Sequence, residues 1–308
     1  MLSKFNHFDN ETLPLSIGDP LELLIVKNNH LLDGDFFTTL NNLLTIDIGP
    51  SPQQENFLNL IEVDQENFKG ILRRHQNILI VSSGDTFNIQ LKMNLFALNQ
   101  VVIFIKCPST YDLKEKENEI VNLIQTLKKI EIQRLSKKFK QYPAKSINQQ
   151  IINTHNISLL APKDFFLAYS DSVTTWIRRE TPKISQGIFL TNLNPKDTIK
   201  SKNSIISLVD SIIQIHISGP VENSYMTSEK DALIEFDTVK INGLSGRRIQ
   251  SLWRMENDFM GGVFNAYYFT LENRSSPLLI YTYLYAPGEK KSILLLQLET
   301  IINTISLK

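Results

Sequence analysis

Between residues 219 and 264 the chain carries Gly219-Pro220, Ser224 through Glu229, Arg247-Arg248, Trp253-Arg254 and Asp258-Phe259-Met260-Gly261-Gly262. Tyr, Trp and Arg combine a large contact area with a polar handle, which suits recognition surfaces. Tandem glycines let a backbone approach a ligand closely. Tyr225, Arg247, Arg248, Trp253 and Asp258 are therefore expected to line one ligand-binding surface with the Gly261-Gly262 backbone. Arg178 is a further candidate: it follows Trp176 at the end of an expected β run, and a guanidinium can clamp a carboxylate or phosphate through two hydrogen bonds. Plain structural readings compete. Gly261-Gly262 also suits a bulge or tight corner of a long hairpin. Arg247 and Arg254 can pair with Glu256 or Asp258 across strands. Arg178-Arg179-Glu180 also reads as a solvated strand end.

Catalysis would need more. Asp258 or Glu229 as acid/base, with Arg247 or Arg248 holding charge, would make a hydrolase-like or carbohydrate-active enzyme. That chemistry requires paired carboxylates at a defined separation, which sequence spacing does not establish. The chain has no Gly-rich phosphate loop, no His-Glu-x-x-His, no Gly-x-Ser-x-Gly and no Cys-x-x-Cys. His7, His30, His75, His155 and His216 are scattered without ligand spacing. Asp33-Gly34-Asp35 begins like a calcium loop, but Phe36 and Phe37 stand where ligands would be needed, so a helix cap is the better reading. The single cysteine, Cys107, excludes an intrachain disulfide and a Cys-rich zinc site. It ends an apolar strand and reads as a buried, inert thiol. No metal and no cofactor is expected.

The elements that must position these residues read as α+β. Strands are expected at Leu21–Val26, Phe57–Val63, Asn77–Val81, Thr86–Met93 and Val101–Cys107, with Ser83-Gly84-Asp85 turning a hairpin. Helices are expected at Asp35–Leu44, at Asp64–Arg74 and, most clearly, over 110–140. There Ser109 and Asp112 fit a capping pattern, Leu113, Ile120, Leu123, Ile124, Leu127, Leu135 and Phe139 form the apolar stripe, and Tyr142-Pro143 ends it. The second half reads as a short helix at 146–154, strands at 157–160, 165–169, 173–178 and 187–192, and an amphipathic helix at 200–215. Long strands follow near 233–242, 246–255, 262–272 and 278–285, then a closing helix at 289–305. This divides the chain into an arm at 1–20, an N-terminal half at 21–143 and a C-terminal half at 144–308. Each half is expected to be a mostly antiparallel sheet with helices on one face. Both halves end strand–Pro–helix, at Cys107-Pro108 and at Ala286-Pro287. An ancient duplication would produce that echo, and so would the general suitability of Pro for a first helical turn.

Composition narrows the function classes. With 308 residues, 42% hydrophobic and 21% charged, the chain can bury a sizeable core without a disulfide or metal. Lys+Arg and Asp+Glu are both 32, so the net charge of +0 lacks the basic excess of a nucleic-acid binder and of a protein held to anionic lipid by charge. No apolar run reaches the roughly 18 residues of a membrane span. Met1 to Asn10 lacks the charged and apolar regions of a signal peptide, which fits a cytoplasmic protein or one whose leader has been removed.

Several stretches together resemble a known family. They are Pro52-Gln53 with Glu55-Asn56-Phe57, Arg74 through Ile80, Trp176 through Thr181 with Ser185 through Ile188, and Gly219-Pro220 with Ser224 through Thr227. Leu252-Trp253, Asp258 through Gly262 and Tyr285-Ala286-Pro287 complete the set. The chain is similar, from Leu13 to Leu307, to domain of unknown function 4837, an uncharacterised Bacteroidota family of mostly predicted lipoproteins. Members tend to carry Arg-Gly where this chain has Gln250-Ser251, and Pro where it has Val263. The family supplies no reaction or catalytic residue; what it implies is an address in the cell envelope, periplasmic or outer-membrane-anchored, with a lipid anchor in the full-length precursor. The first expectation is therefore a non-catalytic envelope module that binds a ligand or an envelope protein. The alternatives are the hydrolase-like enzyme above and a structural scaffold.

Overall fold

The computed structural model describes residues 13–28, 34–108, 113–197, 199, 201–271 and 275–308. The chain divides into two compact units, one of residues 1–46 and 57–131, the other of 47–56 and 132–308.

The first unit contains β1 (Glu22–Lys27), α1 (Gly34–Leu44), β2 (Asn59–Asp64), β3 (Asn77–Ser83), β4 (Asn88–Met93), β5 (Val101–Cys107) and the start of α2 (Glu117–Gln141). Its sheet runs β2-β1-β3-β5-β4. The β1–β2, β1–β3 and β3–β5 pairs are parallel, and only β4 is antiparallel. The expected hairpin between β3 and β4 is therefore not formed, and this half is not mostly antiparallel. The reason lies in the strands themselves. β3 and β5 are nearly continuous apolar runs buried on both faces, so they take inner positions. β4 alternates Asn88, Gln90 and Lys92 with apolar residues and is almost wholly exposed, as an edge strand is. Leu24, Val26, Ile78 and Val102 pack with Phe68 on one face. On the other face Asn77 donates to Glu131 of α2 at 2.8 Å and to the Glu22 carbonyl at 2.9 Å.

Two helical expectations change. The helix expected over Asp64–Arg74 shrinks to one 3-10 turn, Gly70–Arg74, because Asp64 is drawn into register with Lys27 and Gly70 takes a left-handed φ of 56°. The long helix begins as a 3-10 turn at Leu113, with its expected caps Ser109 and Asp112 outside the described residues. Of the expected arm, residues 1–12 also lie outside them. Leu15 and Ile17 are held by bridges to Leu98 and His75. Cys107 is buried, and burial pushes its thiol up to about 11.

The second unit contains α3 (Lys145–His155), β6 (Ile157–Ser158), β7 (Phe166–Ser170), β8 (Thr174–Glu180), β9 (Ser185–Asn192), α4 (Lys202–His216), β10 (Tyr225–Ser228), β11 (Glu235–Ile241), β12 (Leu244–Glu256), β13 (Gly261–Thr270), β14 (Leu278–Tyr285), α5 (Ser292–Ile302) and β15 (Ser306–Leu307). Its sheet runs β10-β12-β13-β14-β9-β8-β7, with β11 also on β12. Every pair in it is antiparallel. Helices cover both faces, not one. α4 lays Ile205, Val209 and Ile213 over Phe189, Trp253, Phe264 and Tyr281. α3 and α5 lay Ile147, Ile151, Leu294 and Leu298 over Ile188, Phe269 and Ile280. The cause is again the strand composition: β9, β13 and β14 are buried along nearly their whole length, so both faces need cover. The fold class is α+β. The two sheets differ in strand order and direction. No helix among the described residues is long and apolar enough to cross a membrane.

Candidate functional site

β12 pairs with β13 from Ser245↔Thr270 to Arg254↔Gly261. The two-residue period of a strand sends Arg247, Ser251 and Trp253 to the α4 face and Arg248, Gln250 and Arg254 to the α5 face. Arg247 is exposed, stands 5.7 Å over the Phe236 ring and donates to Thr238. Arg248 is half-buried and pairs with Asp237 at 2.9 Å and Glu235 at 3.4 Å. Tyr225, paired with Glu256 on the edge strand β10, faces away from Trp253. Asp258 sits in the β12–β13 turn and accepts the Phe259 N–H at 2.7 Å. Glu229 approaches Arg254 at 3.8 Å.

The structure therefore does not gather these residues on one surface. Nor does any hydrogen bond or ion pair among the described residues join Asp258 or Glu229 to Arg247 or Arg248. Trp253 is a core residue, 2% exposed. Its indole N–H reaches over β13 to the Leu284 carbonyl at 3.2 Å. Gly262 provides the clearance: a Cβ there would stand 2.0 Å from the Leu284 oxygen and 3.0 Å from Trp253 Nε1. A Cβ at Gly261 would stand 3.0 Å from the Trp253 carbonyl oxygen. These glycines serve packing, because a bulky indole and a neighbouring backbone occupy the space above them.

Register does join Arg178 to the Trp253 end of the sheet. Arg178 stands beside Gly187, Gly187 beside Tyr283, and Tyr283 beside Phe264. One row along, Glu180 stands beside Ser185 and Ser185 beside Tyr285. Arg178 lies with its guanidinium 5.0 Å from the Trp176 ring, and its Nη2 meets Glu180 Oε1 at 2.5 Å. Ser185 donates to the same oxygen at 2.8 Å. Arg178 Nε makes no hydrogen bond among the described residues. The side chains of Arg178 and Glu180 remain 33% and 38% exposed.

Tyr283 forms the floor. Its ring covers Gly187, where a Cβ would come within 2.0 Å of it. Its hydroxyl is pushed up to about 12 by burial, a rise that Arg178, Trp176 and Ser185 oppose. Such a phenol stays protonated at neutral pH and is not a base. Its ring meets Trp253 edge-on at 6.0 Å, and Trp253 in turn lies 6.3 Å from the half-exposed Tyr285. The arrangement offers aromatic faces and a neutralised Arg–Glu pair at the surface, which is binding chemistry.

Sequence reading singled out Arg178 but missed Tyr283, Tyr285 and Gly187. The available signal was the alternation Tyr281, Tyr283, Tyr285, which sets three rings on one face of one strand. Among the histidines, His155 is buried and bridges Asn192 at 2.9 Å and Thr175 at 3.0 Å. No group of three or more His, Cys, Asp or Glu among the described residues is arranged to hold a metal ion.

The crystal structure of the Saccharomyces cerevisiae Ran-binding protein Mog1p is similar at 13% identity, covering 49% of this chain and 90% of that one, with a TM-score of 0.32. LpqN, described as involved in cell envelope biogenesis of Mycobacterium tuberculosis, is similar at 10% identity, covering 49% of this chain and 83% of that one, with a TM-score of 0.30. None of the curated proteins matches. Residues 16–140 match a second family, described as Domain of unknown function (DUF8532), so the likeness read from Leu13 to Leu307 divides between two families. Residues 144–304, which carry the whole Arg178–Trp253 arrangement, match the family described as Domain of unknown function (DUF4837), and the chain belongs to it.

Proposed function

We propose that the protein is a non-catalytic binding module of the cell envelope that engages a ligand or an envelope protein through Trp176, Arg178, Glu180 and Tyr285. The observation that carries this reading is the half-exposed Arg178, stacked on Trp176 and paired to Glu180, above a floor of Tyr283 and Trp253. Interfaces draw much of their energy from such Arg and aromatic anchors. The envelope address, and a lipid anchor in the full-length precursor, are supported by the stretches this chain shares with a family of mostly predicted lipoproteins. The hydrolase-like reading loses support because Asp258, Glu229, Arg247 and Arg248 each hold other partners.

Site-specific photocrosslinking in cells tests the proposal. A crosslinker at Tyr285 is expected to give a discrete adduct in the envelope fraction, and one at the exposed Leu233 is not. Arg178→Ala should abolish the adduct while leaving the unfolding free energy from urea titration within about 0.5 kcal/mol of the parent. An adduct that survives both Arg178→Ala and Trp176→Ala, or no adduct from this face, would overturn it.

A further inference from the structure

A second recess lies in the same unit, away from the Arg178 face. It is a cleft of about 480 Å³ between the end of α2, α3, the β11–β12 turn and the segment after α5. That volume is in the range of small-molecule sites. None of its lining side chains is acidic, and two are lysines, Lys140 and Lys308. Neither lysine has an ion-pair partner among the described residues.

The polar side chains of the wall are oriented by the backbone. Asn148 accepts from the Ala161 N–H through Oδ1 at 2.9 Å, which leaves its Nδ2 to donate. Asn242 spends Nδ2 on the Asn303 and Ile305 carbonyls at 3.0 Å and 2.8 Å, which leaves Oδ1 to accept. Asn303 spends Nδ2 on the Glu299 carbonyl at 2.8 Å and likewise keeps Oδ1. Ile152 and Leu159 add an apolar wall. Two cations, one fixed donor, two fixed acceptors and an apolar wall match a particular ligand chemistry. The charge suits a carboxylate or phosphate, the amides suit hydroxyl groups, and the apolar wall suits the C–H face of a sugar ring.

We propose that this cleft binds a hydroxylated small-molecule anion of the sugar-acid or sugar-phosphate class, with Lys140 and Lys308 on the anionic group. The proposal stands independently of the Arg178 face. It is tested on the full chain by chemical-shift titration with glucuronate, glucose 6-phosphate and glucose. At least one anion should shift the Asn148 and Asn303 side-chain amides and the Ile152 methyl saturably, with glucose weaker by at least about tenfold because it lacks the charge. The tighter of the two anions identifies the acid class. Replacing both lysines (Lys140→Ala with Lys308→Ala) should reduce the anions to the affinity of glucose. Both lysines are exposed, so the fold should persist, and Lys137→Ala, exposed on the same helix outside the cleft, should leave binding unchanged. Saturable shifts from neither anion, glucose binding as tightly as the anions, or undiminished binding in the double variant would each overturn the proposal.

Discussion

Glu55 caps a helix that starts 237 residues later: its Oε1 accepts the Ser292 N–H at 2.8 Å and its Oε2 the Lys291 N–H at 2.8 Å. The residue at the cap position, Lys291, contributes no side-chain cap of its own. A carboxylate there satisfies orphan N–H groups and meets the positive end of the helix dipole. Glu55→Ala is therefore expected to lower stability by about 1–2 kcal/mol in urea unfolding. Glu55→Gln, which keeps one acceptor but no charge, should fall between. An unchanged midpoint for Glu55→Ala would show that the cap contributes nothing.

The same segment bears on how the chain folds in parts. Ile48 accepts from the Gln250 side chain at 2.8 Å, and residues 47–56 group with the second unit. We propose that 132–308 is a folding unit completed by 47–56. A fragment of 132–308 should be measurably less stable than the same unit in the full chain, and a peptide of 47–56 added in trans should raise its melting temperature. The boundary expected from sequence, between residues 143 and 144, falls immediately before α3, so limited proteolysis should spare Lys145–His155. A first cleavage inside that helix would contradict this assignment.

Clearance at Gly262 and burial at Trp253 give a contrast with Arg247. Gly262→Ala sets a methyl group against the Leu284 carbonyl and is expected to cost about 2 kcal/mol or more, because backbone must move. Trp253→Ala should cost about 3–5 kcal/mol through the cavity it leaves. Arg247→Ala, at an exposed position, should stay within about 0.5 kcal/mol. Chemical denaturation of the three variants checks the order, and an Arg247→Ala loss matching that of Trp253→Ala would contradict the placement.

Alkaline pH should destabilise the fold through buried phenols. Tyr267, Tyr268, Tyr281 and Tyr283 are all held above the ordinary tyrosine value of 10.0, with burial the largest cause in each. The folded state then holds these protons more tightly than the unfolded chain does. Their contribution is complete below pH 10.0 and is lost as pH rises through the raised values. For Tyr283, raised from 10.0 to about 12, the loss is about 3 kcal/mol. Urea midpoints should fall steadily from about pH 10 to about pH 12, with tyrosinate absorbance from these rings rising only as the chain unfolds. A midpoint flat across that range would contradict the burial.

Elements with a strong local signal were legible in the residues. The amphipathic stripe from Ile120 to Leu135 and the apolar runs at 187–192 and 278–285 became α2, β9 and β14. Lys202–His216 follows its Ile205, Val209, Ile213 stripe and is capped by Ser201. The α+β class follows from these elements. So does the opposition of Arg247 and Arg248, since alternation along a strand is a local property.

What only the tertiary structure decided is which strands are neighbours. Ser83-Gly84-Asp85 reads as a hairpin turn, yet β5 enters between β3 and β4, because two strands buried on both faces each require two partners and local turn chemistry does not encode partner choice. The site shows the same division. Arg178, Gly187, Tyr283 and Phe264 have no fixed spacing in sequence, and only the order β8-β9-β14-β13 sets them in one row. Trp253 reads as an exposed anchor in sequence and is buried only once α4 packs over its face of the sheet, because burial is a property of the assembled layers and not of the residue.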